Sequence, residues 1–439
     1  LLMLASPPSG VFGRGFMSER RGLFRAPPEW GVEPVREEVR VLRGFDFFFL
    51  WFSLGVGLLV LQAGALLIPS LTIEQAFLVS LAGSLIGSFL LSLAGVIGSK
   101  HGVPTMVSLR PIFGNYGSYL ATFLNFLQLV GWTAFELKVM ADSASLISGG
   151  ESLRALWLIF FSAIVLMLAL GGPLAFVRKW IERFAVWLVL ASTLWITYQA
   201  STQRIYSPGT GELPITLALD LVIAMPISWM PLVSDYNRFS RRVRSGFLGT
   251  LTGYTLANTW FYFLGTLLAA ISGQGFVAAS ILGFYLGSVA LIAILVDETD
   301  NAYADVYSSA LSLQNVFPKL RQWKIILLVI LVSTILAYFV PLANYEWFLL
   351  MIGASFIPLF GVVISEYFLL RKGDLRIEEF YEGTPKLVKR SLISWSLGLL
   401  TYFALVKLAP ELGASMPSFT ISLVAQYLLG RWKSGVDRS

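Results

Sequence analysis

The 439-residue chain is 56% hydrophobic and only 13% charged, where a soluble domain carries roughly 25% charged residues. That balance excludes a soluble enzyme or nucleic-acid-binding domain and describes a polytopic membrane protein. The absence of cysteine excludes disulfides and thiolate metal sites, and the net charge of +6 is distributed as topology signals are.

Residues 1–43 are rich in Pro, Arg and Glu. Leu1 to Pro8 is too short for the apolar core of a secretory signal. This stretch is expected to be a disordered cytoplasmic tail, with Met17 as a candidate start. Beyond it, apolar runs long enough to cross a bilayer lie near 44–69, 74–98, 116–147, 153–172, 180–200, 213–234, 246–272, 276–312, 324–341, 343–370, 390–409 and 412–431. The count is about twelve, each needing about 20 apolar residues. The third and eighth runs are long, as for tilted or protruding helices.

Lys and Arg alternate between loops. One set holds Lys100 and Arg110, then Arg178, Lys179 and Arg183, then Arg238, Arg241, Arg242 and Arg244, then Lys319, Arg321 and Lys324, then the cluster from Arg371 to Arg390. The opposite loops hold little beyond Arg154 and Arg204. Basic loops stay in the cytoplasm. Both termini, including a short tail at 433–439, are therefore expected inside, in the plasma (inner) membrane.

Two spans carry breaks. The first has Gly55-Val56-Gly57 at its middle, and the sixth has Met225-Pro226-Ile227-Ser228-Trp229-Met230-Pro231. Such interruptions are tolerated only beside a cavity or inside protein. In matching halves they point to a transporter with inverted repeats. Gly55 and Ile227 are 172 positions apart, as are Gln128 and Asp300. The expected organisation is repeat one at 44–200 (helices 1–5), repeat two at 213–371 (helices 6–10), and two further helices at 388–432.

The eighth span holds Asp297, Glu298, Asp300 and Asp305, with Thr299, Asn301 and Tyr303 among them. One such carboxylate costs about 2.5–3.5 kcal/mol on insertion scales, so these residues are expected to face a cavity. Asp297, Asp300 or Asn301, and Asp305 share one helix face. Oxygen-rich faces suit hard cations, and clustered carboxylates also hold protons. The bland reading is a helix end in an aqueous vestibule. On the third span Gln128, Trp132 and Glu136 recur at four-residue steps. An indole offers a stacking face and a carboxamide reads a ring edge, and the competing reading is helix packing. Ser228 and Trp229 sit in the sixth-span break. Asp235 at its cytoplasmic end is either a gate ion-pair member or a solvated helix end. The lone His101 reads as a structural loop residue. No nucleotide loop, zinc motif or nucleophile elbow is present, so the chain is not expected to be an enzyme or to need a cofactor.

From about Gly44 to Leu370 the chain resembles the nucleobase–cation symporters, the cytosine permease and hydantoin transporter family. The likeness is carried by Gly64-Ala65, Gly98 through Arg110 with Phe113-Gly114, Leu127-Gln128 through Gly131-Trp132, Ser234 through Arg238, and Tyr307 through Leu311. The Leu127–Glu136 and Asp305–Ser308 runs look closest to the branch thought to carry hydroxymethylpyrimidine. The resemblance implies an all-α membrane fold of LeuT type, a 5+5 inverted repeat plus two C-terminal helices. It implies a ring-shaped substrate against Gln128, Trp132, Trp229 and Asp305, with Ser228 and Gly57 beside it. It implies sodium held by Gly55, Val56 and Leu58 of the first break and by Val296, Thr299 and Asp300 of span eight. Asp300 departs from the hydroxyl residues of many relatives, which leaves a proton as the alternative coupling ion. Glu136, Asp235, Asp297 and Asn301 remain gating or coupling candidates. The expected function is import of a nucleobase-like heterocycle by cation symport with alternating access, by a chain that acts as a monomer. The alternative is a carrier of amino acids or another small solute on the same architecture.

Overall fold

The computed structural model describes residues 31–173, 184, 186–205, 207–273 and 275–436. The expectations for residues 1–30, for Arg178, Lys179 and Arg183, for the start of the span near 180–200 and for residues 437–439 lie outside the described residues. Among the described residues every regular element is helical, and the extended pairings are the isolated bridges Leu42 to Ser240 and Thr72 to Pro208.

The first span is broken as expected. Helices α1 (Gly44–Ser53) and α2 (Leu58–Ala65) meet at a 60° bend. A capping box between Thr72 and Gln75 starts α3 (Ile73–His101), and Gly102 at φ +72° ends it. After a short turn, α4 (Thr105–Ser108), comes α5 (Arg110–Ser148). Its 39 residues extend to about 58 Å, well beyond a hydrocarbon core of about 30 Å. It kinks at Gly114 (φ +77°), where a Cβ would come 2.7 Å from the Leu387 backbone. Next are α6 (Arg154–Gly171), α7 (Val186–Ser201) and α8 (Ile215–Ser228). Pro231 lacks an N–H, so α8 gives way to a 3-10 turn at Met230–Leu232 before α9 (Val233–Asn237). Then come α10 (Val243–Ser272), α11 (Val277–Leu282), α12 (Gly287–Val316), α13 (Gln322–Phe339), α14 (Tyr345–Ile364), α15 (Lys389–Leu408) and α16 (Ser415–Val436).

Three expectations are corrected. The long eighth span is two helices, because Leu286 adopts φ +57° after Gly283 and separates α11 from α12. The tail expectation fails for residues 31–43. The Val35 N–H donates to Gly102 O (2.8 Å), Leu42 pairs with Phe239 and Arg241, and a 3-10 turn forms at Glu37–Val39. His101 is not in a loop. It is the last residue of α3, with its ring nitrogen 3.0 Å from the Tyr367 hydroxyl.

Eight helices are long and apolar enough to cross a membrane, and the bent α1–α2 pair makes nine among the described residues. The other three expected spans read differently: α7 has 16 residues, α12 carries its four carboxylates, and α16 mixes Ser418, Ser422 and Gln426 into its apolar run.

Packing divides the helices into two groups. Helices α1, α2, α3, α8 and α10 pack on one another, and α5, α6, α12 and α13 form a second set. Helices α14, α15 and α16 pack together alongside, with α14 against α8. Matching parts of the two halves meet. Ser162 Oγ on α6 and Thr334 Oγ1 on α13, 172 positions apart, lie 2.7 Å from each other. Asn258 Nδ2 on α10 donates to Ser84 Oγ on α3 at 2.8 Å, 174 positions apart. The seam between the groups runs past both broken spans.

Candidate functional site

The break in the first span leaves backbone groups unpaired, and α12 supplies their partners. The Leu58 N–H, first in α2, donates to Glu298 Oε2 at 2.6 Å. A carboxylate at a helix N-terminus is favoured by the helix dipole as well as by the hydrogen bond. Asn301 Nδ2 donates to the Val56 carbonyl at 2.7 Å. Gly57 permits this approach, since a Cβ there would stand 2.9 Å from Asn301 Nδ2 and 3.0 Å from Glu298 Oε2. At the end of α1, Ser53 Oγ lies 2.9 Å from Asp297 Oδ1 and 2.9 Å from Asp300 Oδ2. A hydroxyl has one hydrogen to give, so Ser53 can donate to only one of the two carboxyl groups at a time. Asp297 Oδ2 is buried without a partner.

Beside the break lies a cavity lined by Trp132 and Glu136 of α5, Ser228 and Trp229 at the end of α8, Asn301 and Asp305 of α12, and by Leu54, Gly57, Leu59, Val60 and Met225. As it stands its volume is about 10 Å³, room for about one water. The site is therefore closed, and its walls must part to admit a ring. Trp229 meets Trp51 edge-on with centroids 6.1 Å apart, and Trp51 Nε1 donates to Asn237 Oδ1 at 3.2 Å. Trp132 packs edge-on against Tyr345 (5.9 Å) and Phe348 (5.2 Å). The Tyr345 hydroxyl donates to Leu59 O at 3.0 Å, which fixes α14 to the start of α2.

Most of the sequence candidates converge here. Gly57, Trp132, Ser228, Trp229 and Asp305 line the cavity, and so do Glu136 and Asn301, expected as gating residues. Asp305 is 3% exposed, and no protein donor reaches its carboxylate among the described residues. Glu136 of α5 and Glu298 of α12 face each other across the seam, two buried carboxyl groups close enough to interact. Gln128 lies beside the cavity. Its Nε2 donates to Asn125 Oδ1 (2.7 Å) and to Ser228 O (3.1 Å), tying α5 to the end of α8.

The residues expected around sodium lie along the break and α12. Val56 O accepts from Asn301, Thr299 Oγ1 donates to Val296 O at 2.7 Å, Asp300 meets Ser53, and the Gly55 N–H donates to Phe52 O at 3.1 Å. Asp235 sits apart. Its Oδ1 accepts the Thr105 N–H at 2.9 Å, close to Arg238, which donates to Gly31 O and the Tyr307 hydroxyl. Sequence reasoning missed Ser53 and Tyr345. Ser53 had a signal, a hydroxyl two residues before the Gly55-Val56-Gly57 break.

The family model described as permease for cytosine/purines, uracil, thiamine, allantoin matches residues 34–430. The chain belongs to this permease family. The permease is 24% identical over 380 residues to the cytosine permease of Escherichia coli strain K12, covering 83% of this chain and 84% of the relative. It is 22% identical over 448 residues to the hydantoin permease of Microbacterium maritypicum, covering 90% and 86%. Among solved structures it is similar to Mhp1, a nucleobase-cation-symport-1 family transporter, in a closed conformation with bromovinylhydantoin bound. That match has a TM-score of 0.80 at 19% identity and covers 92% of this chain and 96% of Mhp1. The inward-facing conformation of Mhp1 gives 0.76 at 21% identity, over 94% and 95%. The fold is thus the LeuT-type fold expected from the resemblance. The permease is a multi-pass membrane protein and a secondary transporter.

Proposed function

We propose that this permease imports a planar nitrogen heterocycle of the nucleobase type by cation symport, exposing the cavity alternately to the two sides of the membrane. Cytosine, another purine or pyrimidine, and hydroxymethylpyrimidine are the ring classes in view. The observation that carries the reading is the pair of indoles, Trp132 and Trp229, in one cavity with the undonated carboxylate of Asp305. Aromatic walls favour a flat ring, and a carboxylate takes its N–H groups. The names of the cytosine and hydantoin permeases support the same ring chemistry.

The coupling cation is proposed to bind where α12 meets the first break. Ser53, Asp297 and Asp300 give hard oxygens there, with one hydroxyl hydrogen between two carboxylates. Sodium on that oxygen set, together with the carbonyls of Gly55, Val56, Leu58 and Val296 and the hydroxyl of Thr299, is the first reading, and a proton is the second. Twelve spans, both termini in the cytoplasm, a plasma-membrane location and a monomeric unit complete the proposal. An amino-acid carrier is less well supported. Its substrate's carboxylate needs free N–H groups at the first break, and the Leu58 N–H is already given to Glu298.

A thermal-shift screen of the purified protein against purines, pyrimidines, hydantoins and amino acids, with and without sodium, tests the proposal. Stabilisation by a heterocycle is expected, larger when the coupling cation is present. Stabilisation by amino acids alone sinks it.

A further inference from the structure

Helices α1 and α10 begin side by side at one end of the bundle. The Leu42 N–H donates to Phe239 O at 3.0 Å and the Arg241 N–H donates to Leu42 O at 2.9 Å, while the Gly44 carbonyl lies against Gly249. This pairing gathers Arg43, Arg241, Arg242 and Arg244, all exposed. Among the described residues no carboxylate forms an ion pair with any of the four. Asp46, the acidic residue of these first turns, accepts the Arg43 backbone N–H at 2.6 Å. Phe45, 79% exposed, puts an apolar ring at the same end.

A groove of about 610 Å³ runs between α3 and α10. Its walls include Phe77, Leu81 and Leu85 of α3 and Leu251, Thr255 and Thr259 of α10. The three α3 side chains are 41% to 51% exposed, so the groove faces the hydrocarbon of the bilayer. Arg244, Leu248, Leu251, Thr255 and Thr259 follow one another at steps of three or four, a single stripe on α10 that joins the arginines to the groove. Leu251 to Thr255 lies about 10–17 Å along the helix from Arg244, one leaflet's share of a hydrocarbon core about 30 Å thick.

Guanidinium groups give planar, two-pronged donation to phosphate oxygens, and basic clusters where helices meet the membrane surface draw anionic headgroups. A free phosphate uses the arginines and leaves the groove empty. A neutral lipid fills the groove and leaves the arginines unpaired. A lipid with an anionic head and long chains uses both, at the spacing the stripe sets. We infer that Arg43, Arg241, Arg242 and Arg244 hold the phosphate headgroup of an anionic phospholipid whose acyl chain lies in the groove between α3 and α10. The site is outside the transport cavity, on a helix that packs against both halves of the broken first span, and it stands whichever ring is carried.

The test is titration of the delipidated full chain in neutral detergent, read by native mass spectrometry and by the midpoint of thermal unfolding. Dioleoyl phosphatidylglycerol is expected to bind at least about tenfold more tightly than dioleoyl phosphatidylcholine and to raise the midpoint. One basic side chain near an anionic surface is worth about fivefold in affinity, so Arg241→Gln/Arg242→Gln/Arg244→Gln is expected to abolish that preference. Lys319→Gln/Arg321→Gln/Lys324→Gln removes the same charge from another exposed turn and is expected to leave the preference intact. Thr255→Trp, which fills the groove, is expected to weaken both lipids. Glycerol phosphate and inorganic phosphate are expected to bind far more weakly than the dioleoyl lipid. Should the triple arginine variant fail to fold, Arg43→Gln/Arg242→Gln is read in its place, and dihexanoyl phosphatidylglycerol replaces the Trp variant as the probe of the groove. Equal binding of the two phospholipids, a preference that survives loss of the arginines, or an equal loss in the Lys319, Arg321 and Lys324 variant overturns the inference. So does glycerol phosphate or the dihexanoyl lipid binding as tightly as dioleoyl phosphatidylglycerol.

Discussion

Asp220 on α8 is 3% exposed and accepts the backbone N–H groups of Ala414 (2.5 Å) and Ser415 (3.0 Å) at the start of α16. Its carboxylate is matched to two donors at a helix N-terminus. Asp220→Ala strands both donors, and each stranded donor costs about 1–3 kcal/mol, so the midpoint of thermal unfolding is expected to fall clearly. Asp305 is the opposite case, buried with no protein donor among the described residues. Asp305→Asn is expected to leave that midpoint unchanged or higher while weakening heterocycle binding, as when a residue serves a ligand at the expense of stability. A drop as large as that of Asp220→Ala would give Asp305 a structural role instead. The sequence made the cost of the α12 carboxylates legible but not their partners, which lie 240 to 247 positions away in α1 and α2. Gln128 shows a second limit. Each four-residue step advances about 40° round a helix, so Gln128 and Glu136 point about 80° apart. Trp132 and Glu136 reach the cavity, while Gln128 reaches Ser228.

At the scale of elements, α2 and α10 cross so closely that each needs glycine at the contact. A Cβ on Gly64 would strike the Tyr262 carbonyl, and one on Gly265 would strike the Leu61 carbonyl. Both obstacles are backbone, which cannot swing aside, and Thr266 Oγ1 adds a hydrogen bond to Gly64 O at 3.0 Å. Small residues at such crossings let membrane helices pack. Gly265→Val is expected to cost more than the usual 1–3 kcal/mol or so of overpacking, and to show as lost monodisperse protein on size-exclusion chromatography. A normal elution profile and unfolding midpoint would contradict the close crossing. The breaks at Gly55–Gly57 and Pro226–Pro231 were legible because Gly and Pro change the backbone itself. The division of α11 from α12 was not, since Leu286 at positive φ carries no local signal and is set by its surroundings.

Over the whole molecule, the two helix groups and the cavity at their seam follow from the repeat that the 172-residue spacing suggested. The face that carries the N-terminal stretch did not follow from composition. The polar stretch 31–43 reads as tail, yet it is fastened beneath the bundle by Arg238, fully buried, which donates to Gly31 O at 2.8 Å and to the Tyr307 hydroxyl at 3.0 Å. Arg238→Ala is expected to speed tryptic cleavage at Arg36, Arg40 and Arg43 several-fold, and an unchanged rate would mean that the backbone pairing of Leu42 is sufficient.

The central claim is that the closed cavity is the midpoint of a cation-driven path for a planar ring. The most direct measurement is uptake of an aminopyrimidine or cytosine into proteoliposomes under an imposed sodium gradient, a proton gradient, or neither. Accumulation above the outside concentration with at least one gradient, abolished when that gradient is collapsed, is the expected result. Equilibration at the same rate under all three conditions would contradict it.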